Sequence, residues 1–589
     1  MSDQSATDAQ RRLATSTVGT FAVACPGAGK TRAIVARFLV RTREESRRGV
    51  ALVSFTNTAI EEVRRRCVGR DDAIRAPHFV GTFDGFLHRF IVTPLFPHVF
   101  RVAPRYVQSW ADVRGASFRL RDAGRSPDVR LAWFDFGHHG EASLCLDRVP
   151  QRLGSFREVL SARSQEVEQR ASKVYCGLLA AGTVSCEAAR VLTSRFLTHP
   201  RSRGILRETV GARFVEIIVD EAQDCGEEEL AVLRFLQDCG ATVVMVGDPD
   251  QSIYEFRRAL PGEVLAHGRR LSEFVEMSDN FRSSPAVCSF NNALRSGPMI
   301  ETSAGPLSHV ETPVCLVGYS RPGDIASAVL ELGKEHHLGT EELMVLAHRE
   351  SDAMKAVGQV DPGSLTSKAN RILAIADAGF KLRSAEFDAR TRLAAITSVE
   401  IAIVEALAGT DFGNRSLDTV CRDNGIDPRW LRDFAIRLAT THDAADSDAQ
   451  PFAAAVRAHL ADADWNGATV PTNTTRMFKA PTIEDWAKVT ATENRSALGC
   501  STVHRVKGME FRGVALVLPQ RAKPDARTGR TVLDDWEGHF DSEARRVLYV
   551  AGSRARELLI LASPTRDLDR VRRLLDRDGV IHEHRSPSP

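Results

Sequence analysis

Phe21-Ala-Val-Ala-Cys-Pro-Gly-Ala-Gly-Lys-Thr31 passes from a short apolar run through a glycine-rich turn into a segment of helical spacing. Small side chains in such a turn let backbone N–H groups close around phosphate oxygens. Lys30 is then placed to reach the β/γ-phosphates, and the Thr31 hydroxyl to hold Mg²⁺. Ala24, Cys25, Pro26, Gly27, Ala28, Gly29, Lys30 and Thr31 form the candidate cradle, with Ala24 where the strict phosphate-loop pattern has Gly. Lysine is scarce in this arginine-rich chain, and Lys30 is the only one before residue 173. A strand emptying through glycines into a helix predicts an α/β fold with its chemistry at the carboxyl ends of strands.

Working outward, Phe214-Val-Glu-Ile-Ile-Val-Asp-Glu-Ala-Gln-Asp224 is an apolar strand ending in two carboxylates. Asp220 suits the Mg²⁺ shell, and Glu221 suits orienting or deprotonating an attacking water. A third strand ends in Val246-Gly-Asp-Pro-Asp-Gln251, where the Gln251 amide can sense a γ-phosphate or water. Taken singly, the glycine turn can be an ordinary strand-to-helix connection and the acidic pair an ordinary helix start. Together they point to ATP hydrolysis.

Further strands are expected at Val50 to Phe55, Thr242 to Val246, Val514 to Leu518 and Leu558 to Ala562, alternating with helix-like segments. This predicts parallel sheets covered on both faces. Residues 87–200 and 355–495 lack such runs and read as mainly helical insertions, as in Phe156 to Leu179 and Ser185 to Leu197. Polar stretches at Thr440 to Gln450 and Pro471 to Pro481 read as loops.

The 589 residues carry 78 basic and 76 acidic side chains, net +2, so any nucleic-acid surface must be local. Apolar residues at 43% and charged residues at 26% exclude collagen-like and largely disordered classes. The 11 cysteines stand singly, without zinc or iron–sulfur spacing, which suggests reduced thiols and a cytoplasmic location. The polar N-terminus and the lack of a long apolar run argue against secretion and membrane spanning.

At this point the chain resembles the UvrD/Rep/PcrA group of superfamily 1 DNA helicases, motif by motif and in order. Gln10 sits where that family reads adenine, and Ala24 to Thr31 is similar to its Walker A. Ser54 to Ala59 resembles motif Ia, Val80 to Gly85 motif Ib, Asp220 to Asp224 motif II, and Gly247 to Arg257 motif III. Asp279 to Ser283 resembles motif IV, Val503 to Phe511 motif V, and Glu543 to Ala555 motif VI. The resemblance implies two RecA-like domains with ATP in the cleft between them. Domain 1A would be residues 1–86 and 201–280, interrupted by insertion 1B (87–200). Domain 2A would be 281–354 and 496–589, interrupted by 2B (355–495).

It also implies roles. Arg282 and Arg554 match arginines that neutralise the γ-phosphate in the transition state, Phe281 replaces a Tyr that stacks on adenine with Arg32 flanking, and Glu510 matches a ribose contact. Gln251 matches the residue coupling γ-phosphate to DNA. For the DNA track the candidates are Phe83, Tyr254 and Phe256 as stacking platforms and Thr56, Asn57, Arg257, His504 and Lys507 on the backbone. Departures are Asp84 for the usual His, Phe256 for Trp, Arg258 for Gly and Ser553 for Thr. Asp84 is expected to weaken phosphate binding unless paired.

The implied activity is ATP- and Mg²⁺-dependent 3′-to-5′ translocation on single-stranded DNA, with unwinding of duplexes bearing a 3′ tail, in repair or recombination. A rival reading makes the chain an ATPase subunit regulating a partner nuclease, as in Gabija-like anti-phage systems. Only about 30 residues follow motif VI, so a nuclease is expected on another chain.

Overall fold

The computed structural model describes residues 6–44, 47–70, 72–113, 115–120, 128–150, 153–253, 260–359, 370–384, 389–408, 417–444, 447–465, 474–490, 498–521, 524–525 and 528–585. The chain divides into two compact units, Met1–Ser278 and Asp279–Pro589. The family resemblance and the strand pattern both lead to an α/β architecture, and each unit is built on a six-stranded parallel sheet flanked by helices.

In the first unit the strands are β1 (Thr20–Ala24), β2 (Gly49–Ser54), β3 (Phe79–Thr82), β4 (Phe214–Val219), β5 (Thr242–Gly247) and β6 (Glu273–Met277). Their spatial order is β6-β1-β5-β4-β2-β3, with every pairing parallel. All of β1 and β2 is buried, as expected for strands covered on both faces. Helix α1 (Asp8–Thr15) precedes β1, α2 (Lys30–Glu44) follows it, and α3 (Asn57–Arg66) joins β2 to β3. The order makes β1, β5 and β4 neighbours, so the three motif-bearing strand ends open side by side.

One side chain breaks the apolar rule. Glu216, in the middle of β4, has no exposed surface and is met by the equally buried Arg37 of α2, at 2.8 and 3.0 Å. Arg41 adds a third contact at 3.2 Å, and Arg37 Nη1 donates to the Leu13 carbonyl of α1 at 2.9 Å. One carboxylate thus joins the helix after the glycine turn, the strand that carries the acidic pair, and the N-terminal helix.

Between residues 101 and 150 this unit adds short strands to its helices: Phe134–Phe136 pairs antiparallel with Ala142–Leu144, and Ser117–Phe118 with Val129–Arg130. A buried aromatic stack holds this part, with Phe136 and Tyr175 rings 3.9 Å apart. Helices at Ser164–Ala180 and Cys186–Thr198 supply the helical portion.

The second unit contains β7 (Val314–Tyr319), β8 (Leu343–Ala347), β9 (Gly499–Thr502), β10 (Phe511–Val517), β11 (Ala555–Pro564) and β12 (His582–Arg585), ordered β9-β8-β10-β11-β7-β12 and all parallel. The helices from Asn370 to Thr490 pack a core of their own around Ile372, Val399, Phe434, Phe452 and Trp465. Among the described residues no helix is long and apolar enough to cross a membrane.

Glu216→Ala should destabilise the first unit by about 3–5 kcal/mol, because it strands a buried guanidinium. Denaturant unfolding would show this, and Arg37→Met with Glu216→Met together should cost less than either single change.

Candidate nucleotide site and strand-binding surface

The glycine turn has the backbone its residues allow. Gly27 and Gly29 sit at φ +75° and +77°, a region that β-carbons disfavour. A β-carbon on Gly29 would lie 2.6 Å from Gln10 Nε2. Gln10 reaches there because it belongs to a capping box with Thr7 at the start of α1, and its Nε2 donates to the Ala28 carbonyl at 2.9 Å. Its side chain therefore braces the turn. Lys30 opens α2 and directs Nζ back toward the Ala24 carbonyl at 3.4 Å, across the mouth of the turn. Thr31 is half-buried beside it and Arg32 is exposed.

At the end of β4, Asp220 is 2% exposed, and its carboxyl is pushed up to about 7, first by burial and then by the neighbouring Glu221, against the pull of Lys30. Glu221 occupies the left-handed region at φ +54°, a conformation costing about 1–3 kcal/mol for a non-glycine residue. Its carboxylate accepts from Gln223 Nε2. Gln223, fully buried, also accepts the Asp248 N–H at 3.1 Å, and Gly247 leaves it room, since a β-carbon there would stand 2.4 Å from Gln223 Oε1. Gln251 Nε2 donates to Asp248 Oδ2 at 3.1 Å. The turns after β4 and β5 are thus one hydrogen-bonded unit. Gln223, which sequence reasoning passed over, is its hub; its place inside the acidic turn was the only signal.

A hydroxyl at Thr31 and a carboxylate at Asp220 are hard oxygen donors of the kind Mg²⁺ takes, and a buried carboxyl lifted this far suits a site completed by a cation.

In the second unit, three motif segments converge where β10 and β11 begin. Asn280 Oδ1 accepts the N–H groups of Arg282 and Ser283, at 2.8 and 3.0 Å. Arg282 Nε lies 2.7 Å from Glu510 Oε2 and its Nη1 donates to the Ser553 carbonyl at 3.3 Å. Arg554 is almost fully buried; Nη2 donates to Ser553 Oγ at 2.7 Å and Nε to the Val550 carbonyl at 3.1 Å. Ser553, which replaces the usual Thr, supplies the hydroxyl that Arg554 meets. Phe281 is half-buried, and Gly305 is pressed so close to its backbone that a β-carbon would lie 2.3 Å from the Phe281 carbonyl oxygen.

Thr56 is exposed and caps α3 through Oγ1, with exposed Asn57 beside it. His504 and Lys507 are half-buried, His504 edge-on to His348. The platform expected of Phe83 is corrected: the ring is 1% exposed and packs on Phe55 and Phe86, so it has no face to offer a base. The half-buried Phe55 is the accessible ring of that pair. Asp84 is paired with Arg190 at 2.7 Å, and Arg190 also binds Glu229 at 2.8 Å, which removes the local repulsion expected of Asp84. Tyr254, Phe256, Arg257 and Arg258 lie outside the described residues.

Residues 6–107 and 160–271 match the family model described as the UvrD/REP helicase N-terminal domain. The chain is similar to DNA helicase II of Salmonella typhimurium and of Escherichia coli K12, 28% identical to each over 288 residues, 46% of this chain and 37% of each relative. It is also similar to the A subunit of the ATP-dependent helicase/nuclease of Lactococcus lactis, 37% identical over 93 residues, 15% of this chain and 8% of that protein. The matched region thus spans little more than a third of the DNA helicase II chains.

A raised Asp220 keeps its proton in the folded state after the unfolded chain has lost it. Stability of the nucleotide-free protein should therefore fall as pH rises from the ordinary carboxyl value near 4 to about 7. Asp220→Asn should remove that loss, gaining up to about 4 kcal/mol over wild type by pH 8, as read by thermal unfolding across pH.

Proposed function

From its similarity to the UvrD/REP helicase N-terminal domain and to DNA helicase II, we propose that the chain is an ATP-dependent DNA helicase of the UvrD-like superfamily 1 group, a 3′-to-5′ translocase on single-stranded DNA that opens duplexes from a 3′ tail. The observation that supports this is the alignment of a glycine-rich turn, an acidic pair and Gln251 on three adjacent strand ends, two of them cross-linked through Gln223.

In this reading the N–H groups of Gly27, Gly29, Lys30 and Thr31, with the Lys30 side chain, bind the phosphates of ATP. Thr31 and Asp220 would hold Mg²⁺, which would supply neutralisation of the phosphate charge. Glu221 takes the proton of the attacking water, and Gln223 fixes the direction of its carboxylate. Gln251, tied to Asp248, senses whether the γ-phosphate is present. Gln10 and Arg32 meet the base, with Phe281 stacking and Glu510 on the ribose; Arg282 and Arg554 supply transition-state charge, as motifs IV and VI imply. Thr56, Asn57, His504 and Lys507 grip the DNA backbone, joined by Tyr254, Phe256 and Arg257.

Similarity to the A subunits of ATP-dependent helicase/nucleases favours a second reading, in which the ATPase serves a nuclease on a partner chain. Repair, recombination and anti-phage defence all accommodate it.

Steady-state ATP hydrolysis should rise with single-stranded DNA and fall at least about 100-fold in Glu221→Gln and in Lys30→Ala. Hydrolysis surviving in either variant would reject the site. On forked substrates, unwinding from a 3′ tail but not a 5′ tail supports the helicase; stimulated hydrolysis without unwinding favours the second reading.

A further inference from the structure

Beside the expected DNA contacts, a crevice of about 610 Å³ runs along β3, the open edge of the first sheet. It begins at Asn57, Thr82 and Gly85, at the strand ends where the DNA track is expected, and continues past Arg64, Arg89 and Arg75 toward the start of the strand. All three arginines are exposed. Arg64 Nη2 is steadied on the Val80 carbonyl at 3.3 Å, and Arg89 lies over the Phe90 ring at 5.3 Å.

Among the described residues no carboxylate pairs with Arg64, Arg75 or Arg89. Neighbouring guanidinium groups are matched: Arg65 and Arg66 share Glu62, and Arg190 takes Asp84 and Glu229. Glu61 is the one acidic residue of the lining, and it forms no ion pair with the three. Half-buried Arg213 stands over the same Phe90 ring at 5.1 Å, bound to the Pro77 carbonyl. Its pKa is lowered, by burial first and then by Arg89, as uncompensated like charges require. In a chain whose charges otherwise nearly cancel, such a cluster is a local field for a polyanion.

We propose that this crevice is a phosphate lane, in which Arg64, Arg75 and Arg89 hold the sugar–phosphate backbone of a nucleic acid leaving the Thr56–Asn57 site. It rests on the DNA-binding reading above and adds to it residues that no helicase motif contains. The rings of the lining, Phe79 and His78, are buried, so the lane offers no ring for bases to stack on and its grip is independent of sequence. A nucleic acid fits better than an acidic protein because the crevice is continuous with the strand-end positions.

The test measures binding of fluorescein-labelled oligo-dT, about 30 nucleotides long, to the full chain by anisotropy across a salt series. Each backbone contact on a single strand contributes roughly 0.7 to the slope of log K against log[salt]. The variant Arg64→Gln/Arg75→Gln/Arg89→Gln should lose about 2 from that slope and bind at least about tenfold more weakly at 0.1 M salt. Arg203→Gln, whose charge is already matched by Asp238, controls for the loss of a surface cation. If the triple variant does not fold, Arg75→Gln alone should lose about 0.7. Wild type that binds DNA, with variants of unchanged slope, overturns the lane; loss of binding only to an acidic polypeptide such as polyglutamate does the same. Wild type that binds no DNA rejects the helicase reading itself.

Discussion

A carboxylate with no exposed surface must find its countercharge within the core, and Glu216 finds it in Arg37. The demand is severe because the interior does not screen, and a partner lost there is not replaced by water. Satisfying it sets the distance between α2 and β4, and hence between Lys30 at the head of that helix and Asp220 at the end of that strand. The remaining guanidinium donor ties α1 to the same point, and α1 carries Gln10 to the glycine turn. Glycine turn, acidic pair and brace are held at fixed spacing by one buried ion pair.

The site beyond it is organised by scarcity of room. Gly29 and Gly247 each face an amide that a methyl group would collide with, so two glutamines, Gln10 and Gln223, help determine the shape of the strand-end loops. Glu221 bears a backbone conformation that costs energy and is kept by the Gln223 contact. Electrostatic tension at Asp220 and steric tension at Glu221 lie side by side, where a bound cation and a directed water would use them.

Strands β1, β2, β4, β5, β10 and β11 were legible because each is a run of apolar residues bounded by turn signals. Others were not. Leu343–Ala347 reads equally as buried helix, Glu273–Met277 carries two glutamates, and His582–Arg585 has no apolar residue, since an edge strand needs none. The candidate ATP-site residues were picked out by motif order, whereas their partners depend on contacts between turns far apart in sequence, and spacing is silent on those. Phe83 shows the limit most clearly: the position fits a base platform, yet its neighbours Phe55 and Phe86 decide that the ring is core. The insertions were legible as interruptions, but the short hairpins between 101 and 150 rest on two or three residues each, too few to leave a periodic trace.

The pairing of Arg282 with Glu510 carries a consequence of its own. A guanidinium already held by a carboxylate at 2.7 Å is not idle charge waiting for any anion; an incoming group has to outbid that carboxylate. Chloride or a lone carboxylate gains little by the exchange, whereas a multiply charged phosphate gains much. Glu510 is substantially exposed, so its displacement returns it to water at small cost. If Arg282 meets phosphate as proposed, the ion pair would act as a discriminator, setting a threshold of charge density below which Arg282 stays where it is.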